Sequence, residues 1–173
     1  MADMKKIIYK EANERLMVGL GRETSFFEAG NVWKEFFEGD TNDKLGSLSY
    51  ATCCEDIDSN AGIGMMYNFK DMNHFDFIIG DFMNTGTEIP EGLTKRYVPG
   101  GLTAHIQIEG SNVAEILDSA YLLITEAIEK TGKKIDQEHF YWCEVYTNER
   151  YCEPLDRGEK VIIDYILPVI END

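Results

Sequence analysis

One carboxylate among aromatic residues is the feature of this sequence best suited to chemistry. Residues 141–146 read Tyr-Trp-Cys-Glu-Val-Tyr, and the alternation of a β-strand places Trp142, Glu144 and Tyr146 on one face. If the other three residues pack beneath helices, the carboxylate faces the open side of the sheet. The alternative interpretation is a glutamate on a solvated face, although exposed sheet faces rarely carry tryptophan and tyrosine without a use.

A carboxylate in such surroundings favours the binding of organic cations. Its charge gives strong Coulomb attraction where the dielectric constant is low, and each aromatic face adds about 0.5–2 kcal/mol through cation–π contact. The same surroundings raise the pKa of a carboxyl by desolvation, which suits a general acid or base. Two roles are therefore open for Glu144: a counter-charge for a ligand, or a catalytic group.

Further aromatic residues are candidates for the same cavity. Tyr121 lies four residues after Leu117 and three before Ile124, which predicts the buried face of a helix. Each ring alone is more typical of a core, but 9 Tyr and 2 Trp supply many rings with polar handles. The candidate ligand-binding residues are Glu144, Trp142, Tyr146, Tyr121, Tyr165, Tyr50 and Trp33.

Other metal-binding or nucleophilic side chains form no recognisable site. The four cysteines include no C-x-x-C pair and the chain has three histidines, so we expect reduced thiols and no structural zinc. His105 is either a donor in the cavity or a histidine with surface partners. The turn at 99–101 lacks the spacing of a phosphate-binding loop. We therefore predict neither a metal nor a cofactor.

The charge balance limits the possible partners. With 16 basic and 32 acidic residues the net charge is −16, which repels phosphate backbones and anionic lipid. No apolar run approaches the length of about 20 residues that spans a membrane, and the start of the chain lacks the core of a signal peptide. We expect a cytoplasmic protein that binds neither nucleic acid nor membrane. A cationic ligand or a basic protein partner fits this charge, unless the acidity serves solubility alone.

The first half of the chain predicts a strand, a helix and further strands. Residues 15–21 are typical of a strand, and Ser25 with Glu28 forms a capping box that opens a helix ending at Gly39. The helix has apolar positions at the spacing of one face. Two or three strands are predicted after it, with candidates at 48–54 and 64–69 and the clearest alternation at 75–80, and an acidic loop over 55–63.

The second half repeats this order. A strand over 102–108 precedes a helix that is capped by Asn112, carries Glu115 at the reach-back position and closes at Gly132. Strands at 141–147 and 160–169 follow, joined by an acidic loop. The pattern predicts an α+β fold: a tandem β-α-β-β repeat with an antiparallel sheet, two helices on one face and a ligand cleft between the halves. We expect one domain over 1–173, with halves of about 1–90 and 91–173.

Several of these segments carry a family resemblance. The stretch Cys-Glu-Val-Tyr-Thr-Asn at 143–148, the strand at 161–169, the turn and strand at 98–104, and the early strand around 18–20 occur in the order found in GyrI-like domains. The chain resembles a stand-alone member of this effector-binding family, which also forms the C-terminal part of AraC-type and MerR-type regulators. The resemblance implies a tandem β-α-β-β fold with a ligand cleft at its pseudo-twofold axis.

The resemblance also implies a function. The family's buried pocket glutamate corresponds to Glu144, its pocket aromatics to Tyr50, Tyr121 and Tyr165, and the ligands of its multidrug regulators are lipophilic cations. Two alternatives come from other members: a hydrolase of reactive small molecules in which Glu144 activates water, and an acidic protein-interaction module such as a gyrase modulator. No DNA-binding domain is expected within this chain. The segment 54–73 is longer than usual in the family, which predicts a lid or an extra strand.

Overall fold

The computed structural model describes residues 1–57, 61–71 and 73–173. Residues 58–60 of the predicted loop and residue 72 of the long segment lie outside the described residues. The strands are β1 (Asp3–Ala12), β2 (Arg15–Ser25), β3 (Ala61–Asp71), β4 (His74–Met83), β5 (Thr94–Val98), β6 (Gly101–Gly110), β7 (Lys133–Ile135), β8 (Tyr141–Thr147) and β9 (Val161–Glu171). The helices are α1 (Ala29–Glu38), α2 (Thr41–Gly46), α3 (Val113–Lys130) and α4 (Glu153–Asp156), with a 3-10 turn at Ser49–Ala51 and a π turn at Asn148–Cys152.

The strands form an antiparallel sheet in the order β1-β6-β9-β8-β3-β4-β2-β5, and β7 pairs with the end of β9. The units β2-α1-β3-β4 and β6-α3-β8-β9 have the same element order and occupy mirror positions in this list. Their meeting point is the β3–β8 ladder in the middle of the sheet. The predicted α+β class and the tandem β-α-β-β arrangement are therefore confirmed.

The first helix begins later than the capping box predicts. Ser25 is the last residue of β2 and pairs with His74 on β4, so its backbone belongs to the sheet. The helix starts at Ala29, and Glu28 makes no side-chain cap. The sheet ladder thus prevails over the local capping signal, and Phe27 is left 91% exposed.

The strand predicted over 48–54 is wrong. Leu45, Leu48 and Ala51 are buried at a spacing of three residues, which a helical turn satisfies and a strand does not. The segment accordingly forms a 3-10 turn, and only Thr52 makes a bridge to β4. The predictions also missed β1 and β5, which are edge strands with charged or exposed residues and hence weak alternation.

The second half follows its predictions more closely. The side chain of Asn112 accepts a hydrogen bond from the Glu115 amide at 3.0 Å, which confirms the cap. The Glu115 carboxylate reaches back to the amide of Ser111 at 2.7 Å. Gly132 follows α3 with φ 78°, a left-handed conformation that glycine accommodates. The predicted strands correspond to β6, β8 and β9, while the acidic loop at 148–159 contains the π turn and α4.

The helices cover the flanks of one sheet face, and we name the ring-covered strip between them the groove. Helix α1 packs on β2 and β4, whereas α3 packs on β1, β6, β7 and β9. The central strands β3 and β8 therefore form the floor between them. Among the described residues, no helix is long and apolar enough to cross a membrane.

Glu144 lies on the helix-bearing face, which reverses the orientation considered from the sequence. Its neighbour Trp142 shares a core cluster with helix residues such as Phe36 and Ile124. Cys143, which points the opposite way, belongs to a second cluster on the helix-free face that also contains Met17. The alternation of β8 was predicted correctly, but the side that receives the helices was not.

Candidate functional site: a buried glutamate beneath aromatic rings

The Glu144 carboxylate sits at the centre of the groove floor. It lies in the middle of β8, opposite Gly64 on β3 and Tyr165 on β9. Its side chain is buried, with 4% of its surface exposed. The position is thus next to the pseudo-symmetric meeting point of the two halves.

Two tyrosine hydroxyls are the hydrogen-bond donors to this carboxylate. Tyr165 donates to Oε2 at 3.4 Å, a long distance for an O–H···O bond, and Tyr146 also donates to Glu144. No basic side chain among the described residues forms an ion pair with Glu144. Among the described residues, the negative charge of ionised Glu144 is therefore stabilised only by neutral hydrogen-bond donors.

Burial determines the ionisation of this carboxyl. Desolvation raises the pKa of Glu144 to about 7, against the smaller opposing effects of the hydrogen bonds from Tyr165 and Tyr146. Burial likewise raises the pKa of both tyrosines, so they stay protonated as donors. Near neutral pH the site therefore holds a carboxyl poised between its neutral and ionised forms.

Aromatic rings from several elements enclose the carboxylate. On the second-half side, Trp142 lies 5.3 Å from Tyr165 and 6.1 Å from Tyr121 of α3, between ring centroids. On the first-half side, Tyr146 lies 5.4 Å from the ring of Trp33 on α1. The structure thus brings together six of the seven candidates: Trp33, Tyr121, Trp142, Glu144, Tyr146 and Tyr165.

Tyr50 is the candidate that the structure does not bring to the groove. It lies in the 3-10 turn, with 78% of its surface exposed. Its assignment depended on a strand that does not form. His105 is also elsewhere, because its ring approaches Asp56 at 3.6 Å and Thr103 at 3.1 Å on the helix-free face.

Tyr151 is a further ring at the site that the sequence pattern does not predict. This residue lies on the π turn, and its ring is 4.8 Å from that of Tyr146. The turn is held by Arg150, whose Nε donates to Asp164 Oδ2 at 2.9 Å. The loop after β8 has no periodic pattern, so the sequence does not predict where this ring lies. The only signal is the presence of a tyrosine shortly after the strand.

Two glycines on β3, which the sequence pattern does not single out, leave the space that the Trp33 ring occupies. A Cβ at Gly64 would lie 2.8 Å from the Phe77 ring and 3.0 Å from the Trp33 ring. A Cβ at Gly62 would lie 3.5 Å from Trp33, an ordinary contact. The indole therefore rests on bare backbone directly beside Glu144.

The rings fill the space over Glu144 in this structure. Two concavities occur on other parts of the surface, and Glu144 lines neither of them. The outer rings of the cover are partly solvent-exposed: Trp33 stacks on the exposed Phe37 at 5.9 Å, and Tyr121 is 58% exposed. The prediction that Tyr121 lies on the buried face of its helix is therefore wrong, because α3 buries Ile116, Ala120, Ile124 and Ile128 instead. A ligand that reaches the carboxylate must displace such rings, which belong to the two flanking helices.

Comparison with known proteins identifies the fold. No protein-family model matches the sequence, and no curated protein matches it. Solved structures match over nearly the whole chain. SAV2435 bound to tetraphenylphosphonium aligns with a TM-score of 0.59 at 11% identity, covering 96% of this chain and 94% of that one.

Two further structures give the same result. The C-terminal domain of EcmrR aligns with a TM-score of 0.55 at 14% identity, covering 96% of this chain and 98% of that one. The integron cassette protein VCH_CASS2 from the mobile metagenome of Vibrio cholerae aligns with a TM-score of 0.54 at 14% identity, covering 98% and 99%. At these identities the likeness establishes the fold. The chain therefore shares the fold of these three structures, in agreement with the fold that the resemblance to GyrI-like domains implies.

Proposed function

We propose that this chain binds amphipathic organic cations that carry aromatic groups, in the groove between α1 and α3, with Glu144 as the counter-charge. The observation that carries the proposal is a buried carboxyl that is surrounded by rings and has no basic partner among the described residues. We further propose a cytoplasmic effector-binding or sequestering role for this domain.

The physical argument is one of charge compensation. An ionised carboxylate in an apolar site is unfavourable unless it is paired. A cation in the groove supplies that pairing, while the faces of Trp33, Trp142 and Tyr146 offer cation–π contact of about 0.5–2 kcal/mol each. An uncharged ligand of the same shape gains the ring contacts and leaves the carboxylate uncompensated. The site therefore favours cations over neutral analogues.

The structural neighbours support the ligand class. SAV2435 is a protein of the same fold in complex with tetraphenylphosphonium, a lipophilic aromatic cation. The matched EcmrR domain is a C-terminal domain within a longer chain, which fits an effector-binding role. We propose the same ligand class for this chain because Glu144 and its rings have the chemistry that such a cation needs.

Tetraphenylphosphonium titration tests this proposal with an internal probe. Both tryptophans of the chain, Trp33 and Trp142, lie at the site, so quenching of intrinsic fluorescence reports occupancy of the groove. We expect saturable binding at pH 8, weakened about tenfold or more by Glu144→Gln. The matched control is Glu91→Gln, which removes the same charge from an exposed position. Equal affinity in the Glu144→Gln variant would refute the role of this carboxylate.

One observation favours a second candidate function, a hydrolase. A carboxyl with a pKa of about 7 is suited to proton transfer near neutral pH. Such an enzyme would use Glu144 to activate water against a strained electrophilic substrate held by the rings. Turnover of such a substrate, followed by mass spectrometry and abolished in Glu144→Gln, is the expected result. A substrate that stays intact after long incubation with the wild-type chain contradicts it.

A further inference from the structure

A second concavity lies on the opposite side of the sheet from Glu144. We name it the back cleft; its lining residues include Met65, Tyr67, Arg96, Val98, Glu138 and Tyr141, together with Phe69, His139 and Phe140 at its margin. Four of these residues belong to the core cluster of the helix-free face: Met65, Tyr67, Val98 and Tyr141. Its volume of about 590 Å³ is in the range of small-molecule sites in proteins. The back cleft does not include Glu144 and is open in this structure. At its margin, the ring of Phe140 lies 6.5 Å from that of Trp142, so the two sites are neighbours.

The back cleft holds one arginine with an unusual environment. The guanidinium carbon of Arg96 lies 4.6 Å from the centroid of the Tyr67 ring. Its Nη2 donates to Asn68 Oδ1 at a long 3.4 Å. Among the described residues no carboxylate lies within ion-pair distance of Arg96, although the chain has 32 acidic residues. Its charge is thus left available to a ligand.

The backbone at Asn68 positions this arginine. Asn68 has φ 50° and is the only described non-glycine residue in the left-handed region. The pairing of β3 with β4 shifts register just after Tyr67, an irregularity that often re-aims side chains next to binding sites. The side-chain Nδ2 of Asn68 donates to Asp76 Oδ2 at 3.0 Å, and the side-chain Oδ1 of Asn68 accepts from Arg96. Asn68 is therefore held at both ends and presents a fixed acceptor to the guanidinium.

We propose that the back cleft is a second small-molecule site and that it takes planar aromatic carboxylates. A guanidinium that lies over a ring keeps its donors at the ring edge accessible, and those of Arg96 that Asn68 does not use match the two oxygens of a carboxylate. The flat apolar part of such a ligand would lie against Tyr67, Tyr141 and Val98. Glu138 is on the rim and exposed, so solvent screens its repulsion. The ligand charge is opposite to that proposed for the groove.

A calorimetric titration with 1-naphthoate at low salt tests this inference. We expect saturable binding, weakened about tenfold by Arg96→Gln and by less in Arg96→Lys, which keeps the charge but loses the planar fork. Lys95→Gln is the matched control, because it removes the same charge from the adjacent exposed residue of β5. We expect it to change the affinity less than about twofold. The uncharged 1-naphthylmethanol should bind more weakly than 1-naphthoate.

Glu144→Gln separates the two sites. We expect it to leave 1-naphthoate binding unchanged, whether or not the groove binds cations. Three results would overturn the inference: no saturable binding of 1-naphthoate, a loss in Glu144→Gln instead of Arg96→Gln, or equal losses in Arg96→Gln and Lys95→Gln. Arg96 is exposed on an edge strand, so its variants are expected to fold, which circular dichroism checks.

Discussion

Gly64 lies directly opposite Glu144 in the β3–β8 ladder, and the indole of Trp33 occupies the space that a side chain at position 64 would need. Gly64 lies within a regular strand, so its role is not to allow a tight turn. Its role is to let a ring from α1 approach the sheet beside the buried carboxyl. Position 64 therefore affects both the surroundings of the Glu144 carboxyl and the packing of α1 on the sheet.

The first prediction concerns this close approach. Gly64→Ala places a Cβ 2.8 Å from Phe77 and 3.0 Å from Trp33, so the rings must shift. We expect the free energy of unfolding to fall by about 1–3 kcal/mol, measured by urea denaturation. Gly62→Ala is the control, since its contact with Trp33 is an ordinary 3.5 Å. Equal losses in the two variants would contradict the packing described for Trp33.

The second prediction is a pH dependence of cation binding. The pKa of Glu144 is raised by burial to about 7, so the ionised fraction rises steeply between pH 6 and 8. Tyr146, Tyr151 and Tyr165 face the carboxyl, and their raised pKa values keep them neutral over this range. We expect the affinity for tetraphenylphosphonium to increase about tenfold from pH 6 to pH 8. In Glu144→Gln the same titration should be flat, and a parallel rise would assign the effect to another group.

The third prediction is the corresponding effect on stability. Burial raises the pKa of Glu144 in the folded chain above the ordinary 4.5, so the folded state holds this proton more tightly. Its contribution to stability is complete below pH 4.5 and is lost as pH rises through about 7. Relative to Glu144→Gln, the wild-type free energy of unfolding should fall by on the order of 3 kcal/mol across this window. Denaturant curves that keep a constant difference between pH 4.5 and 8 would contradict a buried carboxyl.

The fourth prediction concerns the two tyrosine donors. Tyr165→Phe removes the hydrogen bond of 3.4 Å that stabilises the ionised form, so the pKa of Glu144 should rise and the pH profile of cation binding should move up by about one pH unit. Tyr146→Phe should move it less, because the Tyr146 hydroxyl lowers the pKa of Glu144 by less than the Tyr165 hydroxyl does. A downward movement in either variant would show that these hydroxyls do not favour the carboxylate.

The fifth prediction compares two exposed tyrosines. Tyr121 contacts Trp142 at the groove, whereas Tyr50 lies in the 3-10 turn away from it. Tyr121→Ala should weaken tetraphenylphosphonium binding about threefold to tenfold through the loss of one ring contact, and Tyr50→Ala should leave it unchanged. The same fluorescence titration measures both. A loss of tetraphenylphosphonium affinity in Tyr50→Ala would show that Tyr50 contributes to the binding site and would contradict this prediction.

The fold was predictable where local signals and tertiary packing agree. The two faces of β8 enter two different core clusters, Asn112 caps α3 with a hydrogen bond, and α3 buries one stripe of its apolar residues, each as the local pattern predicts. Ser25 and the segment 48–54 show the opposite case. At Ser25 the capping box predicted a helix, but pairing with β4 made the residue part of a strand. At 48–54 the apolar run predicted a strand, but the burial of Leu48 and Ala51 at a spacing of three residues required a helical turn.

The candidate site was predictable in its residue types and less so in its geometry. Strand alternation correctly grouped Trp142, Glu144 and Tyr146, but it carries no information on which face receives the helices. Tyr151 and Gly64 were missed because their roles depend on a turn and on a long-range contact with Trp33. Neither contact follows from the periodicity of a single strand or helix.

A crystal structure of the chain with tetraphenylphosphonium tests the central claim most directly. We expect the phosphonium in the groove between α1 and α3, with Trp33 or Tyr121 displaced and with aromatic side chains within about 6 Å of the cation. Glu144 should be the nearest carboxylate. A cation bound elsewhere, or one in the groove whose nearest acidic group is not Glu144, would contradict the account.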